Sequence, residues 1–129
     1  DAARELKTLS SALEEILTLT LDAFSENNLD IAKSIEPLEQ VIDKLKKNAK
    51  NNHISRLQQD ECTIETGFVF NDILTHYART ADHCSNIAVA MIEIDRKEMD
   101  THEYLYTVKY SDNSEFNEAY EEYKAKYYI

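Results

Sequence analysis

Leu29-Asp30-Ile31-Ala32-Lys33-Ser34-Ile35-Glu36-Pro37-Leu38-Glu39-Gln40-Val41-Ile42-Asp43-Lys44-Leu45, carried on to Ala49, decides the fold. Its apolar residues Ile31, Ile35, Leu38, Ile42, Leu45 and Ala49 are spaced 4, 3, 4, 3, 4, the signature of one buried stripe on a helix. The pattern predicts a helix over about residues 29–59, which at 1.5 Å per residue spans about 45 Å. An element that long in a 129-residue chain implies an elongated bundle. Pro37 lies well past the first turn and removes the hydrogen bond to the Lys33 carbonyl, so a kink is expected there rather than a stop. The polar stretch Lys50-Asn51-Asn52-His53 separates this stripe from Ile54 and Leu57, which are out of phase with it. Fraying or local overwinding is expected at that point.

Working outward, residues 3–26 predict a first helix. Leu6, Leu9, Leu13, Ile16, Leu17, Thr20, Leu21 and Phe24 form its stripe, and Asn27-Asn28 ends it because asparagine tolerates the left-handed C-terminal position. Asp60-Glu61-Cys62-Thr63 is the next break, with Thr63 as N-cap. The third helix covers about residues 64–95. Its stripe is Phe68 or Phe70, Ile73, Leu74, Tyr77, Ala81, Cys84, Ile87, Ala88, Met91 and Ile94, with Ala81, Cys84 and Ala88 at the tightest helix contact. Residues 101–109 suggest a short helix and Ser111-Asp112-Asn113-Ser114 a cap. Phe116, Tyr120, Tyr123 and Tyr127 then form a last stripe, on a helix too short to stand alone in water. The expectation is an all-α fold: an antiparallel three-helix bundle over residues 1–97, with a helical tail, residues 98–129, docked on it.

Composition excludes several classes. One glycine and one proline cannot supply the turns of an all-β fold, and one glycine cannot build a Rossmann or P-loop phosphate cradle. With 14 basic against 25 acidic residues, the net charge of −11 opposes nucleic-acid and anionic-lipid binding. The chain opens at Asp1, so it is expected to be a piece of something larger. That piece should be soluble, having neither a signal peptide nor a long apolar run. Two cysteines without metal-ligand spacing fit free thiols in a reducing compartment.

Chemistry-bearing residues concentrate on the second helix. Glu36, Glu39, Gln40 and Asp43 fall at i, i+3, i+4 and i+7 and share one face. Glu39 and Asp43 could share a hard cation if a second helix supplied further oxygen ligands; spacing alone favours a solvated acidic flank near Lys33, Lys44 and Lys46, since charge runs usually decorate a surface. On the third helix, Asp72 and His76 fit a zinc pair or a helix-surface hydrogen bond, and Arg79 with Asp82 a surface salt bridge. Ferritin-like di-iron chemistry requires two Glu-x-x-His motifs, and the chain has none. Cys84 reads as a small core residue, and nothing near Cys62 in sequence argues for activation. No catalytic residue and no phosphate-binding cluster emerges, so an enzyme is not expected.

Gly67-Phe68-Val69-Phe70-Asn71-Asp72-Ile73-Leu74 and Arg79-Thr80-Ala81-Asp82-His83-Cys84-Ser85-Asn86-Ile87-Ala88 resemble a PhoU-like domain. The subtype is similar to the cytosolic tail of bacterial sodium-dependent phosphate cotransporters. Ile35-Glu36-Pro37-Leu38-Glu39-Gln40-Val41-Ile42-Asp43-Lys44-Leu45 carries the same likeness, as do His53-Ile54-Ser55-Arg56-Leu57-Gln58, Cys62-Thr63 and Asp100-Thr101-His102-Glu103-Tyr104-Leu105. The resemblance implies that residues 1–97 are the second of two three-helix repeats. The first repeat and a membrane transporter domain would lie upstream, making this the cytosolic region of an inner-membrane protein. It also implies iron or zinc bound by Glu/Asp-x-x-x-Asp motifs: Glu39 and Asp43 match the motif of the second helix, and Asp82 ends that of the third. Ala78 stands where the latter should begin with an acid, so a weakened or vacant divalent-metal site is expected. Glu36, His83 and Asn86, each within a turn of a matched ligand, are auxiliary candidates. The function implied is regulation of phosphate transport. A stand-alone metal-binding bundle and a helical interaction module without ligand are the rivals, and a fragment lacking its sister repeat would be expected to form homodimers.

Overall fold

The computed structural model describes residues 2–96 and 114–128. Four helices, α1 (Ala2–Glu26), α2 (Leu29–Gln58), α3 (Ile64–Arg96) and α4 (Ser114–Tyr127), account for nearly all of them, and no strand occurs among the described residues. At 1.5 Å per residue, α1, α2 and α3 run about 38, 45 and 50 Å. The expected short helix over 101–109 lies outside the described residues.

Side-chain contacts fix the topology. Glu5 near the start of α1 meets Asn52 and Arg56 near the end of α2, so these two helices are antiparallel. Glu36 of α2 meets Ser85 of α3, while His53 stacks on Phe70, so α2 and α3 are antiparallel too. α1 and α3, both antiparallel to α2, therefore run parallel, and Ser10 and Tyr77 join them through a hydrogen bond of 2.8 Å. α4 lies mainly on α2 and also touches α1.

Both tight connections rest on a left-handed residue. Asn27 has φ of 49°, and the amide of Asn28 reaches back to the Ala23 carbonyl at 2.9 Å, closing a Schellman-type end. Asn28 then caps α2, its Oδ1 accepting from the Ile31 amide at 3.1 Å. Asp60, with φ of 57°, repeats the device as Glu61 N–H donates to the Arg56 carbonyl at 2.9 Å. Thr63 Oγ1 accepts from the Thr66 amide at 3.1 Å, the N-cap its position in sequence predicts.

The stripe of α2 is buried as expected: Ile35, Leu38, Ile42, Leu45 and Ala49 are all in the core. The helix runs through Pro37 without stopping, and Pro37 itself is buried. Fraying at Lys50–His53 is not found. The helix is continuous there because His53 is buried against Phe70 rather than left in water.

In α1 the expected phase needs correction. Leu9, Ile16 and Thr20 are buried, but Leu17, Leu21 and Phe24 are 46%, 66% and 69% exposed. Ala12 and Ala23 take the central positions instead, because a helix wedged between neighbours buries its small residues at the closest approach. In α3, Ala81, Cys84 and Ala88 are buried as expected, joined by Val89 and Ile92, whereas Phe68, Ile87 and Ile94 face outward. On α4 only Tyr127 is fully buried; Phe116, Tyr120 and Tyr123 are half-buried against the core.

Candidate functional site

Acidic side chains line the seam between α2 and α3. Glu36 and Glu39 are buried, with 4% and 9% exposure, because Glu36, Pro37, Leu38 and Glu39 make a continuous inward turn of α2. Glu36 is satisfied from both sides: Ser85 Oγ donates to Oε2 and Gln40 Nε2 to Oε1 at 2.8 Å. Gln40 also reaches Glu39 Oε2 at 3.2 Å. Both are therefore held in place by neutral donors, which lower the cost of burying a carboxylate without cancelling its charge.

Glu39 is the perturbed member. Its pKa is pushed up from 4.5 to about 8, first by burial, then by the charge of Glu36, by a side-chain hydrogen bond with Asp82, and by the charges of Asp82 and Asp43. Two carboxyl groups sharing a hydrogen bond must hold a proton between them, so at neutral pH Glu39 is largely protonated and donates to Asp82. Asp43 turns the other way, to Lys47 at 2.9 Å. The antiparallel register that sets Glu36 against Ser85 and Glu39 against Asp82 sets Asp43 level with Ala78, whose methyl offers no polar group to meet it.

Of the sequence candidates, then, the fold sets Glu36 and Asp82 each beside Glu39, with Asp43 at the border. His83 and Asn86 do not join them. They lie on the exposed side of α3, lining an open depression with His76, Arg79, Thr80 and Asp82. Asp72 and His76 are likewise exposed. Among the described residues, no three His, Cys, Asp or Glu side chains converge in a metal-binding group. Glu39 and Asp82 are the pair that does meet, through a side-chain hydrogen bond.

Spacing missed the role of Ser85, which reads as a packing residue and supplies the hydroxyl that holds Glu36. It also missed a second polar group at the far end of α2. There Glu5, 7% exposed, accepts from Asn52 Nδ2 at 2.6 Å and Arg56 Nη2 at 2.9 Å. One signal was available, since Glu5 precedes Leu6 at a position in phase with Leu9, Ala12 and Ile16.

These features define a class: an all-helical domain whose second and third long helices meet over buried carboxylates. The PhoU domain model matches residues 6–91, nearly the whole of the three-helix bundle, and the chain belongs to the PhoU domain family. It is 24% identical over 92 residues to the phosphate-specific transport system accessory protein PhoU homolog 1 of Thermotoga maritima, an alignment covering 71% of this chain and 40% of that protein. The chain thus spans less than half the length of that relative. No solved structure matches. Among the described residues no helix is long and apolar enough to cross a membrane.

Proposed function

We propose that this chain is a regulatory, non-enzymatic domain of phosphate transport, and that its signal passes through the protonation or cation occupancy of the α2–α3 carboxylate seam. Family membership and the accessory role printed for the Thermotoga relative support the first part. The observation that carries the second is Glu39, a buried carboxyl held against Asp82 in an interior that also contains Glu36. Such an arrangement is stable only while a proton or a cation offsets the repulsion. A divalent metal, iron and zinc included, would take Glu39 and Asp82 as ligands, with Asp43 available once it releases Lys47.

The parent is proposed to be a sodium-dependent phosphate cotransporter of the inner membrane, with this domain in the cytosol behind an upstream sister repeat. The outward-facing Leu17, Leu21 and Phe24 of α1 with Ile87 and Ile94 of α3 support an apolar face to which such a repeat, or a second copy of this chain, would bind.

The test is calorimetric titration of the metal-free chain with Mn²⁺ and Zn²⁺ at pH 8, with Asp82→Asn and Glu39→Gln as controls. Weak binding of one ion per chain, lost in both variants, is expected. Several tightly held ions, or binding untouched by both substitutions, would refute the assignment. Deleting the domain from its parent transporter should alter the dependence of uptake on internal phosphate; unaltered uptake would refute the regulatory role.

A further inference from the structure

Where α2 ends and α3 begins, the two helices hold apart a cleft that neither the core nor the carboxylate seam uses. Ile54 and Leu57 are out of phase with the stripe that α2 gives to the core. Of the two aromatic candidates on α3 the core takes Phe70, at 4% exposure, and leaves out Phe68, at 69%. These leftover side chains meet one another. Ile54 and Leu57 of α2, with Ile64, Phe68 and Leu74 of α3, wall a cleft of about 270 Å³. The buried rings of His53 and Phe70 also line it, stacked with centroids 4.6 Å apart, so part of the wall is fixed before anything binds. Ile54, Ile64 and Phe68 are all exposed, and large apolar side chains gathered around a concavity mark a binding site rather than an ordinary solvated surface.

Charge and size narrow the occupant. The chain has 25 acidic residues, yet among the described residues none lines the cleft. Its one full charge is Lys50, with the Asn71 amide on the facing helix; His53 is neutral at pH 7 because burial and the Arg56 charge lower its pKa. Glu61, Glu65 and Asp72, close by in sequence, are exposed, where water and salt screen them. The antiparallel register puts Lys50, Asn71 and Leu74 at one end of the cleft and Leu57 and Ile64 at the other, beside the connection. From Lys50 to Leu57 α2 advances about 10 Å. At about 30 Å³ per water-sized group, the volume holds roughly nine such groups. The site is an apolar slot with a cation at one end.

We propose that this cleft binds a medium-chain carboxylate of about eight to ten carbons, its carboxylate at Lys50 and its chain along Ile54, Leu57 and Phe68. The apolar walls supply affinity in proportion to the chain buried, and the ammonium of Lys50 selects an anionic head. The net charge of −11 keeps the protein off anionic bilayers, so the ligand is taken from solution.

The experiment is calorimetric titration of the purified chain at pH 7 with hexanoate, octanoate, decanoate and dodecanoate, each below its micelle concentration. One carboxylate per chain should bind, with affinity rising about tenfold for every two carbons as far as decanoate and levelling off at dodecanoate, when the slot is full. Decan-1-ol should bind about tenfold more weakly than decanoate. Lys50→Gln should bring decanoate down to the affinity of decan-1-ol and leave decan-1-ol unchanged, a split that loss of folding would not produce. Phe68→Asp, at an exposed position, should abolish binding of both, whereas Ile94→Asp, exposed at the far end of α3, should leave both intact. Absence of saturable decanoate binding would overturn the proposal, as would affinity still climbing at dodecanoate or decanoate binding unchanged in Lys50→Gln or Phe68→Asp. A dimer seen by sedimentation and dissolved by Phe68→Asp would overturn it too, since the cleft would then belong to a second copy of the chain.

Discussion

Glu39 should make this protein less stable as pH rises through the neutral range. Its pKa is 4.5 in an unfolded chain and about 8 in the folded one, so between those values the folded state holds a proton that the unfolded state has released. Stability from a group raised in this way is fully present below the unfolded pKa and lost as pH climbs through the folded pKa. At 1.36 kcal/mol per unit, the whole difference is worth about 5 kcal/mol; about 1.4 kcal/mol of it falls between pH 7 and pH 9 by the same relation. That upper window is the one to use, because His53, whose pKa is lowered by burial and by Arg56, adds a slope of opposite sign around its ordinary value.

The assay is urea unfolding followed by circular dichroism at half-unit steps from pH 7 to 9, with a chelator present. Wild type should lose roughly 1–1.5 kcal/mol across the window. Glu39→Gln keeps a donor toward Asp82 and has nothing to titrate, so its stability should stay nearly level and exceed wild type at pH 9. A wild-type profile that is flat or rising, or a Glu39→Gln profile that falls in parallel with it, would refute the reasoning.

Ala81, 1% exposed in the core, has no room for three more carbons, and Ala81→Leu should cost about 1–3 kcal/mol by overpacking, read as a lowered melting temperature. Asn28→Ala removes the cap that accepts from Ile31 and should cost about 1 kcal/mol; Asn28→Ser should recover most of it in the same urea assay. Gly67→Ala should gain up to about 1 kcal/mol in helix propensity and nonetheless destabilise, because His53 is pinned by Phe70, Arg56 and Cys62 and cannot yield to the new methyl. A rise in melting temperature on Gly67→Ala would show that the ring moves freely.

What the sequence revealed and what it concealed divide along physical lines. The α2 stripe was legible because α2 is packed by α1, α3 and α4 together, so nearly every large apolar residue on its inner side is needed for the core. α1 is packed by α2 and α3 but only lightly by α4, and there reading by side-chain size misplaces the phase: it selects Leu17, Leu21 and Phe24, whereas the interior holds Ala12 and Ala23. The acids of α2 could be placed on one face from spacing, but their partners depend on the register between helices, which no periodicity within one helix encodes. Asp82 was named through family resemblance, and Ser85 was not named as a partner at all.

Glu5 shows why buried polar groups are the hardest to read and what they contribute once found. Alone, it reads as a solvated first-turn acid. In the fold it sits at 7% exposure with Asn52 and Arg56 donating to its two oxygens. Such an ion pair gives little net stability compared with an apolar contact of the same shape, but breaking it strands a buried charge at a cost of about 3–5 kcal/mol. Sliding α1 along α2 by one turn would do that while moving leucines and alanines onto other apolar positions at small loss. The apolar stripes therefore hold the helices together, and Glu5, Asn52 and Arg56 select the register. The register of α2 against α3, which sets Glu36 opposite Ser85 and Glu39 opposite Asp82, is a separate one, and at the far end of α2 it is marked by His53 stacked on Phe70.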